Sequence, residues 1–375
     1  MSMRRLCALL ISACLSLTSM PGQAALRSIW QPSGPPPVSL DYHELTCRKE
    51  VPPPYTGPLQ IASKYDQSDA SKTTLSKKRP SAASQLAYRS AGEYTKSLVR
   101  FADYYLRAET PGHAAMALAC IDQWLQAWAE AGALTSRDAS KTGIAVRKWS
   151  LAAISSVILK TQALSHGQLR LSDAQRNWLK QLAELVIDDY APRLAPDFRY
   201  FNNHDYWAAW ALASTGIVLD QPRYLDIGER IMRRALQQIT TSANGRYAYL
   251  PNELARGKLA ANYTHYALVP LVLLAEALRQ NGDRLSDDDE RRLDLLANFA
   301  AQLVLAPQRL PELDGKKQEQ VDPYKMAWLI PFLNHAPKHE LANRLYRTEA
   351  DAVDGYSQIG GRIAPLYPTL EALKR

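Results

Sequence analysis

The sequence predicts an all-α protein, and three observations carry that reading. Apolar residues recur at helical spacing from Ser84 almost to the C-terminus. Strand-like alternation is nearly absent, residues 247–250 being the best short candidate. Brief turns marked by Gly or Pro separate the periodic stretches. Helices joined in this way predict antiparallel hairpins stacked side by side, although no repeat recurs at a fixed period.

Taken in order, the chain opens on a stretch that reads as an export signal, residues 1–24. Arg4 and Arg5 supply the charged start, Leu6 to Leu17 the apolar segment, and Gly22-Gln23-Ala24 the small residues for cleavage. The apolar segment is too short for a permanent spanning helix. A rival lipoprotein cleavage box, Ile11-Ser12-Ala13-Cys14, would leave that segment unusually short. The expectation is therefore a periplasmic protein with no membrane anchor. Cys7 and Cys14 leave with the signal, so export places an even pair, Cys47 and Cys120, in an oxidising compartment. One disulfide stapling the N-terminal segment to the first helices is expected, with two free buried thiols as the alternative. The formal charge of +8 falls to +6 once Arg4 and Arg5 are removed. A basic exported protein favours acidic partners such as anionic polysaccharide, lipid headgroups or nucleic acid.

Residues 25–375 are long enough to bury a large core and are expected to form one domain, two tightly packed ones being the alternative. Between 25 and 58 the prolines (Pro32, Pro35, Pro36, Pro37, Pro52, Pro53, Pro54, Pro58) predict extended coil over a surface. Residues 63–80 are polar, lack apolar period and end in Lys77-Lys78-Arg79-Pro80. A loop this long is functional or disordered, and it reads as a mobile lid. Helix 86–106 has Leu98, Phe101, Ala102, Tyr105 and Leu106 on one face; helix 114–131 repeats the pattern with Leu118, Ile121, Trp124, Leu125 and Trp128. Further helices are expected at 144–164, 172–190, 204–219, 223–239, 263–281, 287–305 and 324–334. The tail, 355–368, holds Gly360-Gly361 and several prolines and reads as irregular, packed back on the body.

Two polar stretches interrupt this pattern. Asn202-Asn203-His204-Asp205-Tyr206-Trp207 opens an apolar run, which is ordinary helix N-cap chemistry. Leu250-Pro251-Asn252-Glu253-Leu254-Ala255-Arg256 is followed seven positions later by Tyr263. Together they supply an amide, an imidazole, a guanidinium and a phenol, the groups needed to remove a proton from carbon beside a carboxylate.

These stretches belong to a larger set: Val51-Pro52-Pro53-Pro54-Tyr55-Thr56-Gly57, Ser63-Lys64-Tyr65, Arg147-Lys148-Trp149, the run from Asn202 to Ala208, Leu250 to Arg256, and Tyr263 to Leu268. In order and spacing the set resembles the bacterial periplasmic alginate lyases of polysaccharide lyase family five, over nearly all the mature chain. The resemblance implies an incomplete α/α toroid of helical hairpins, with a lid loop over a tunnel-like cleft. It also implies depolymerisation of alginate, preferentially in mannuronate-rich stretches, without metal or organic cofactor.

The residue types suit that chemistry. β-Elimination on a 1,4-linked uronate needs loss of the C5 proton and expulsion of O4. The proton is poorly acidic while the neighbouring carboxylate is ionised, so the site must neutralise that charge and stabilise the developing dianion. Asn203 can donate amide hydrogens, and Arg256 brings a permanent charge with a fork matched to carboxylate. His204 is similar to the family histidine that holds the carboxylate or assists proton abstraction. Tyr263 resembles the family acid/base at O4, and at C5 when the two are syn. A phenol titrates near 10, so a base role requires depression, which Arg256 would supply. Gly257 places Arg256 on the loop leading into the Tyr263 helix. Plainer readings exist: Arg256 as a surface charge, His204 as a cap, Tyr263 and Tyr266 as core aromatics.

Substrate binding is expected from Ser63, Lys64 and Tyr65 on the lid, from Lys141 and Thr142, from Arg147 as a carboxylate partner, and from Trp149 and Trp207 as sugar platforms. Trp149, Trp207 and Trp210 also sit at helical spacings that suit plain core, and Trp124 and Trp128 read as core; His113, His166 and His339 read as surface; His265 stays open. Two departures from the family pattern stand out: Lys141 where relatives have His, and Gln358 where they have Arg before Gly360-Gly361. Arg362 is a candidate to compensate. The partner expected is an anionic polyuronate bound by a monomer; no nucleic-acid module and no basic–aromatic interleaving is present. The competing readings are a broader polyuronate lyase acting on glucuronate chains, and a polysaccharide-binding or export scaffold in which catalysis is secondary.

Overall fold

Most helices start where a side chain can cap them, and the caps fix the hairpin corners. The computed structural model describes residues 25–32, 40–349, 352–367 and 370; residues 1–24, where an export signal was expected, lie outside them. Ser81, Thr110, Ser140 and Ser172 accept from the backbone of the first turns of α1 (Ala82–Leu106), α2 (Pro111–Glu130), α3 (Lys141–Leu164) and α4 (Asp173–Tyr190). Asn202 caps α5 (Asn203–Leu219) with Asp205 closing a capping box. α6 (Pro222–Gln238), a short turn α7 (Pro251–Leu254), α8 (Ala260–Gln280), α9 (Asp287–Leu305), α10 (Leu329–His335) and α11 (Glu340–Glu349) follow.

The helices form two layers. α1, α3, α5 and α8 pack in sequence as an inner row, while α2, α4, α6 and α9 cover them from outside. Inner helices must be apolar nearly all round, and α5 is buried from Asp205 through Leu219. α3 is the one helix among the described residues long and apolar enough to cross a bilayer, yet 83% of that window is buried inside the protein. It is a core helix. Gly143 in its first turn is required by close approach: a Cβ there would sit 1.8 Å from the Leu59 carbonyl oxygen.

Extended coil from 45 to 62 runs over α2 and is tied to it. Cys47 and Cys120 are disulfide-bonded, with Cα atoms 4.7 Å apart. Trp124 and Trp128, both in the core as expected, donate their indole N–H groups to the Lys49 and Pro52 carbonyls. Tyr94 stacks on Trp128 at 3.6 Å between centroids. Among the described residues, strand structure is confined to two short ribbons and two isolated bridges, Leu59 with Ala139 and Tyr65 with Leu75. Thr240–Thr241 pairs with Ala248–Tyr249, where the one strand-like stretch was expected, and Gly355–Tyr356 pairs with Gly361–Arg362 in the tail. A Cβ on Gly361 would meet the Asp103 carboxylate of α1 at 2.6 Å, so only glycine lets the tail close on the body.

One predicted helix is broken. Instead of a helix over 324–334 there is a 3₁₀ turn, Pro323–Met326, and then α10. A helix running from 324 would drive the Pro331 ring into the 327 carbonyl; restarting at Leu329 puts that proline in a first turn, where no N–H is needed. α11 went unpredicted. Its Leu341, Ala342, Leu345 and Tyr346 lie on one face among ten mostly polar residues, a weak but readable signal.

Candidate active site

The N-terminus of α5 and the turn from α7 into α8 meet through one buried carboxylate. Glu253 Oε1 accepts from the Asn203 backbone N–H at 2.7 Å, and Asn203 Nδ2 lies 3.1 and 3.0 Å from the two Glu253 oxygens. Burial pushes Glu253 up to about 7, against the hydrogen bonds from Asn203 and the charge of Arg256, which lower it. Asn203 Oδ1 is buried without a partner among the described residues. The amide expected to donate to substrate is therefore engaged by Glu253.

His204 follows in the first turn. Lys148 Nζ, on α3, lies 2.9 Å from His204 Nδ1 and 2.9 Å from its carbonyl oxygen. Burial, then Lys148, Arg193 and Arg256, hold the imidazole well below its ordinary range, so it is neutral. Asp205, one residue on, grips Arg193 through both oxygens at 2.5 and 2.7 Å.

Arg256 sits between α7 and a 3₁₀ turn, with Gly257 at φ +56°, on the loop into α8 as Gly257 implied. Its guanidinium lies 3.5 Å over the Tyr263 ring, its Nη2 donates to the Lys72 carbonyl at 2.7 Å, and its Nε is buried without a partner among the described residues. Tyr263 Oη is 2.7 Å from Tyr65 Oη. Burial raises Tyr263 above the ordinary phenol range, outweighing the opposing charge of Arg256 and helped by the bond to Tyr65. This reverses the depression expected from Arg256 alone. Tyr65 moves the other way: burial opposes ionisation, but the Tyr263 hydrogen bond, Lys64 and Arg256 prevail and lower it.

The loop carrying Tyr65 is internally braced. Asp66 and Thr74, and Lys64 and Ser76, share backbone hydrogen bonds, and the Asp69 carboxylate collects the N–H groups of Ser71, Thr73 and Thr74. Ser63 Oγ accepts from the Tyr65 N–H, and the Lys64 ammonium stands 4.9 Å from the Tyr65 ring.

Other expected binding residues are placed differently. Trp149 lines a cavity of about 720 Å³ bounded by α1, α3 and the C-terminal ribbon, and its ring lies 5.5 Å from His204. Arg147 is buried, bonded to Asp189 and the Ser136 carbonyl at 2.7 Å each, so its charge is met inside the protein. Trp207 is fully buried behind Tyr266 and Tyr356. Lys141 is exposed in the first turn of α3, about 10 Å along the axis from Lys148, beside the half-buried Thr142. Gln358 lines the cavity and accepts from Tyr266 Oη at 2.8 Å, while Arg362 there is paired with Asp354. His265 is a core residue, bonded to the Ala300 carbonyl and the Trp328 indole. His339, expected at the surface, has its side chain 5% exposed and accepts from the Ala342 N–H at the start of α11.

Sequence reasoning gave no role to Glu253 or Lys148, though both lie inside quoted motifs. For Lys148 the available signal was an ionisable residue whose helical neighbours Ile144, Ala145, Leu151 and Ala152 are all apolar; Glu253, in a short turn, carried no such signal.

Comparison with known proteins places the chain in a family and a fold. The family model described as alginate lyase matches residues 60–310. An alginate lyase of Pseudomonas putida strain F1 is 31% identical over 336 residues, covering 86% of both chains. That of Pseudomonas aeruginosa PAO1 is 32% identical over 75% of both, and that of Cobetia marina 33% identical over 75% of this chain and 74% of its own. Among solved structures, alginate lyase A1-III complexed with tetrasaccharide superposes with TM-score 0.64 at 17% identity, covering 88% of this chain and 87% of that one. The fold is the α/α toroid of that protein.

Proposed function

The chain belongs to the alginate lyase family, and on that premise we propose that it cleaves alginate, preferring mannuronate-rich stretches, by β-elimination. One observation carries the reading. Asn203 and His204 at the start of α5 are tied through Glu253 to the turn that carries Arg256, whose guanidinium lies over Tyr263, and Asn203 Oδ1 and Arg256 Nε are buried there without partners among the described residues. Buried polar atoms are normally satisfied, so unpartnered ones close together suit a polar ligand.

In this mechanism Arg256 and His204 receive the uronate carboxylate, with Asn203 joining when its amide is free to turn. Neutralising that charge makes the C5 proton removable. Tyr263 holds its own proton in the structure, so acting as base requires that proton to leave first to solvent, with the Arg256 guanidinium over the ring and a hydrogen bond donated by Tyr65 Oη stabilising the phenolate left behind. The Tyr263 phenolate then takes the C5 proton, and the same phenol returns it to O4 as the C4–O4 bond breaks. A single residue serves both steps because H5 and O4 of β-mannuronate lie on one face. Trp149 flanks the sugar path. The leader sequence and the Cys47–Cys120 disulfide support action in the periplasm, and the enzyme is proposed to act as a monomer.

A second reading rests on Gln358. It offers an uncharged amide, already bonded to Tyr266, where a cation would select for uronate, and Arg362 nearby is paired with Asp354. That suits a broader polyuronate lyase. Ultraviolet absorbance of unsaturated uronate, followed on separate mannuronate, guluronate and glucuronate polymers, decides. A rise on mannuronate alone supports the first reading, a comparable rise on glucuronate the second. Silence on all three with retained binding would overturn both in favour of a binding scaffold.

A further inference from the structure

Lys148 is fully buried in the middle of α3, and among the described residues no carboxylate pairs with its Nζ. The nearest acid, Asp205, is held by Arg193 through both oxygens. Lysines are almost never fully buried unless paired, so the position asks for an explanation. We propose that Lys148 is a positioning residue for elimination: it donates to His204 Nδ1 and so holds the imidazole proton on Nε2, making His204 a donor to the uronate carboxylate and not the base at C5. The inference rests on the lyase reading above and supplies the group that holds His204 in the carboxylate-donor role.

The geometry accounts for every proton on the amine. One hydrogen points to His204 Nδ1 and one to the His204 carbonyl, each at 2.9 Å. A third faces the rings of Trp149 and Tyr190, each 4.9 Å from Nζ, which suits a cation. A neutral amine would still supply the first two. Burial holds the Lys148 amine well below its ordinary range, and whether as ammonium or as an amine that spends its two hydrogens on the His204 carbonyl and on Nδ1, it makes Nδ1 the acceptor; a neutral imidazole with Nδ1 accepting carries its hydrogen on Nε2. Nε2 has no protein partner among the described residues and is not among the atoms sealed from solvent, so it is the nitrogen open to a ligand.

The groups facing His204 reinforce a neutral donor. Burial first, then Lys148 from α3, Arg193 from the turn after α4 and Arg256 from the turn before α8, disfavour imidazolium, and burial also holds the Lys148 amine well below its ordinary range. A second proton taken from C5 would create that imidazolium in a buried site beside two guanidinium groups. Delivering N–H to a carboxylate creates no new charge on the ring. The C5 proton therefore goes to Tyr263.

The test is the tautomer itself. With the full chain labelled with ¹⁵N-histidine, the His204 resonances are expected to show an unprotonated Nδ1 and a protonated Nε2 across pH 6–8. In Lys148→Met they should become a mixture of both tautomers, with kcat on mannuronate polymer falling about 100-fold, as for loss of one transition-state donor. Protonated Nδ1 in the wild type would overturn the inference, as would a folded Lys148→Met with unchanged tautomer and kcat. If Lys148→Met does not fold, the wild-type spectrum decides alone. Failure of the lyase reading is separately visible, because the spectrum requires no turnover.

Discussion

Both carboxylate oxygens of Glu253 are occupied by Asn203, one of them by its backbone N–H as well as its amide. This relationship joins the first residue of α5 to the turn that carries Arg256. It also ties the amide's orientation to a proton. With Glu253 ionised, Nδ2 faces it and Oδ1 is left free; with Glu253 protonated, the amide can turn and present Nδ2 to a substrate carboxylate.

Glu253 is raised to about 7, so the proton leaves within the working range. Wild-type kcat/KM on mannuronate polymer should fall as pH rises through about 7. Glu253→Gln mimics the protonated form and should remove that falling limb. An identical limb in the variant would exclude Glu253 as its origin.

Tyr263→Phe should abolish turnover while sparing binding, with kcat lowered at least 1,000-fold, toward the upper end of the range for acid–base groups. It also frees Tyr65 from its 2.7 Å partner. Binding isotherms for the polymer, compared with ultraviolet turnover, separate the two effects. Substantial residual turnover would remove Tyr263 from the chemistry.

Arg147, with its charge met by Asp189 in the interior, should matter for folding and not for substrate. Arg147→Met leaves Asp189 without its partner and should lower stability by about 3 kcal/mol, as breaking a buried pair does. KM should be unchanged. Denaturant unfolding together with steady-state kinetics checks both.

Glu276 is buried, donated to by Tyr367 Oη at 2.6 Å, and raised by that burial to about 7. An acid whose folded value exceeds its unfolded value near 4.5 stabilises fully below 4.5 and loses that contribution as pH rises to about 7. Relative to wild type, Glu276→Gln should therefore gain up to about 3 kcal/mol between pH 4.5 and 7. Comparing the two proteins at each pH cancels the opposite contributions of buried His204 and His265. A difference that does not change with pH would show that Glu276 does not titrate there.

Much of this protein was legible from its sequence by itself. Helical periodicity, Ser and Asn caps and punctuating Gly and Pro determined the hairpins, because these are local properties of the chain. The even cysteine pair determined the disulfide, and the motifs brought Asn203, His204, Arg256 and Tyr263 forward as a set. Tertiary structure alone decided what each polar group faces. Arg147 and Trp149 are two residues apart on α3, yet one helix face meets Asp189 and the other a cavity, a choice made by packing. Arg256 was expected to lower Tyr263, but how deeply the phenol is buried depends on the loop that brings Tyr65 over it, and desolvation outweighs the nearby charge. Glu253 and Lys148 had no role in the sequence reading, and only the closed chain shows both buried. Burial is a property of the whole fold, and it turns both into partners of the site.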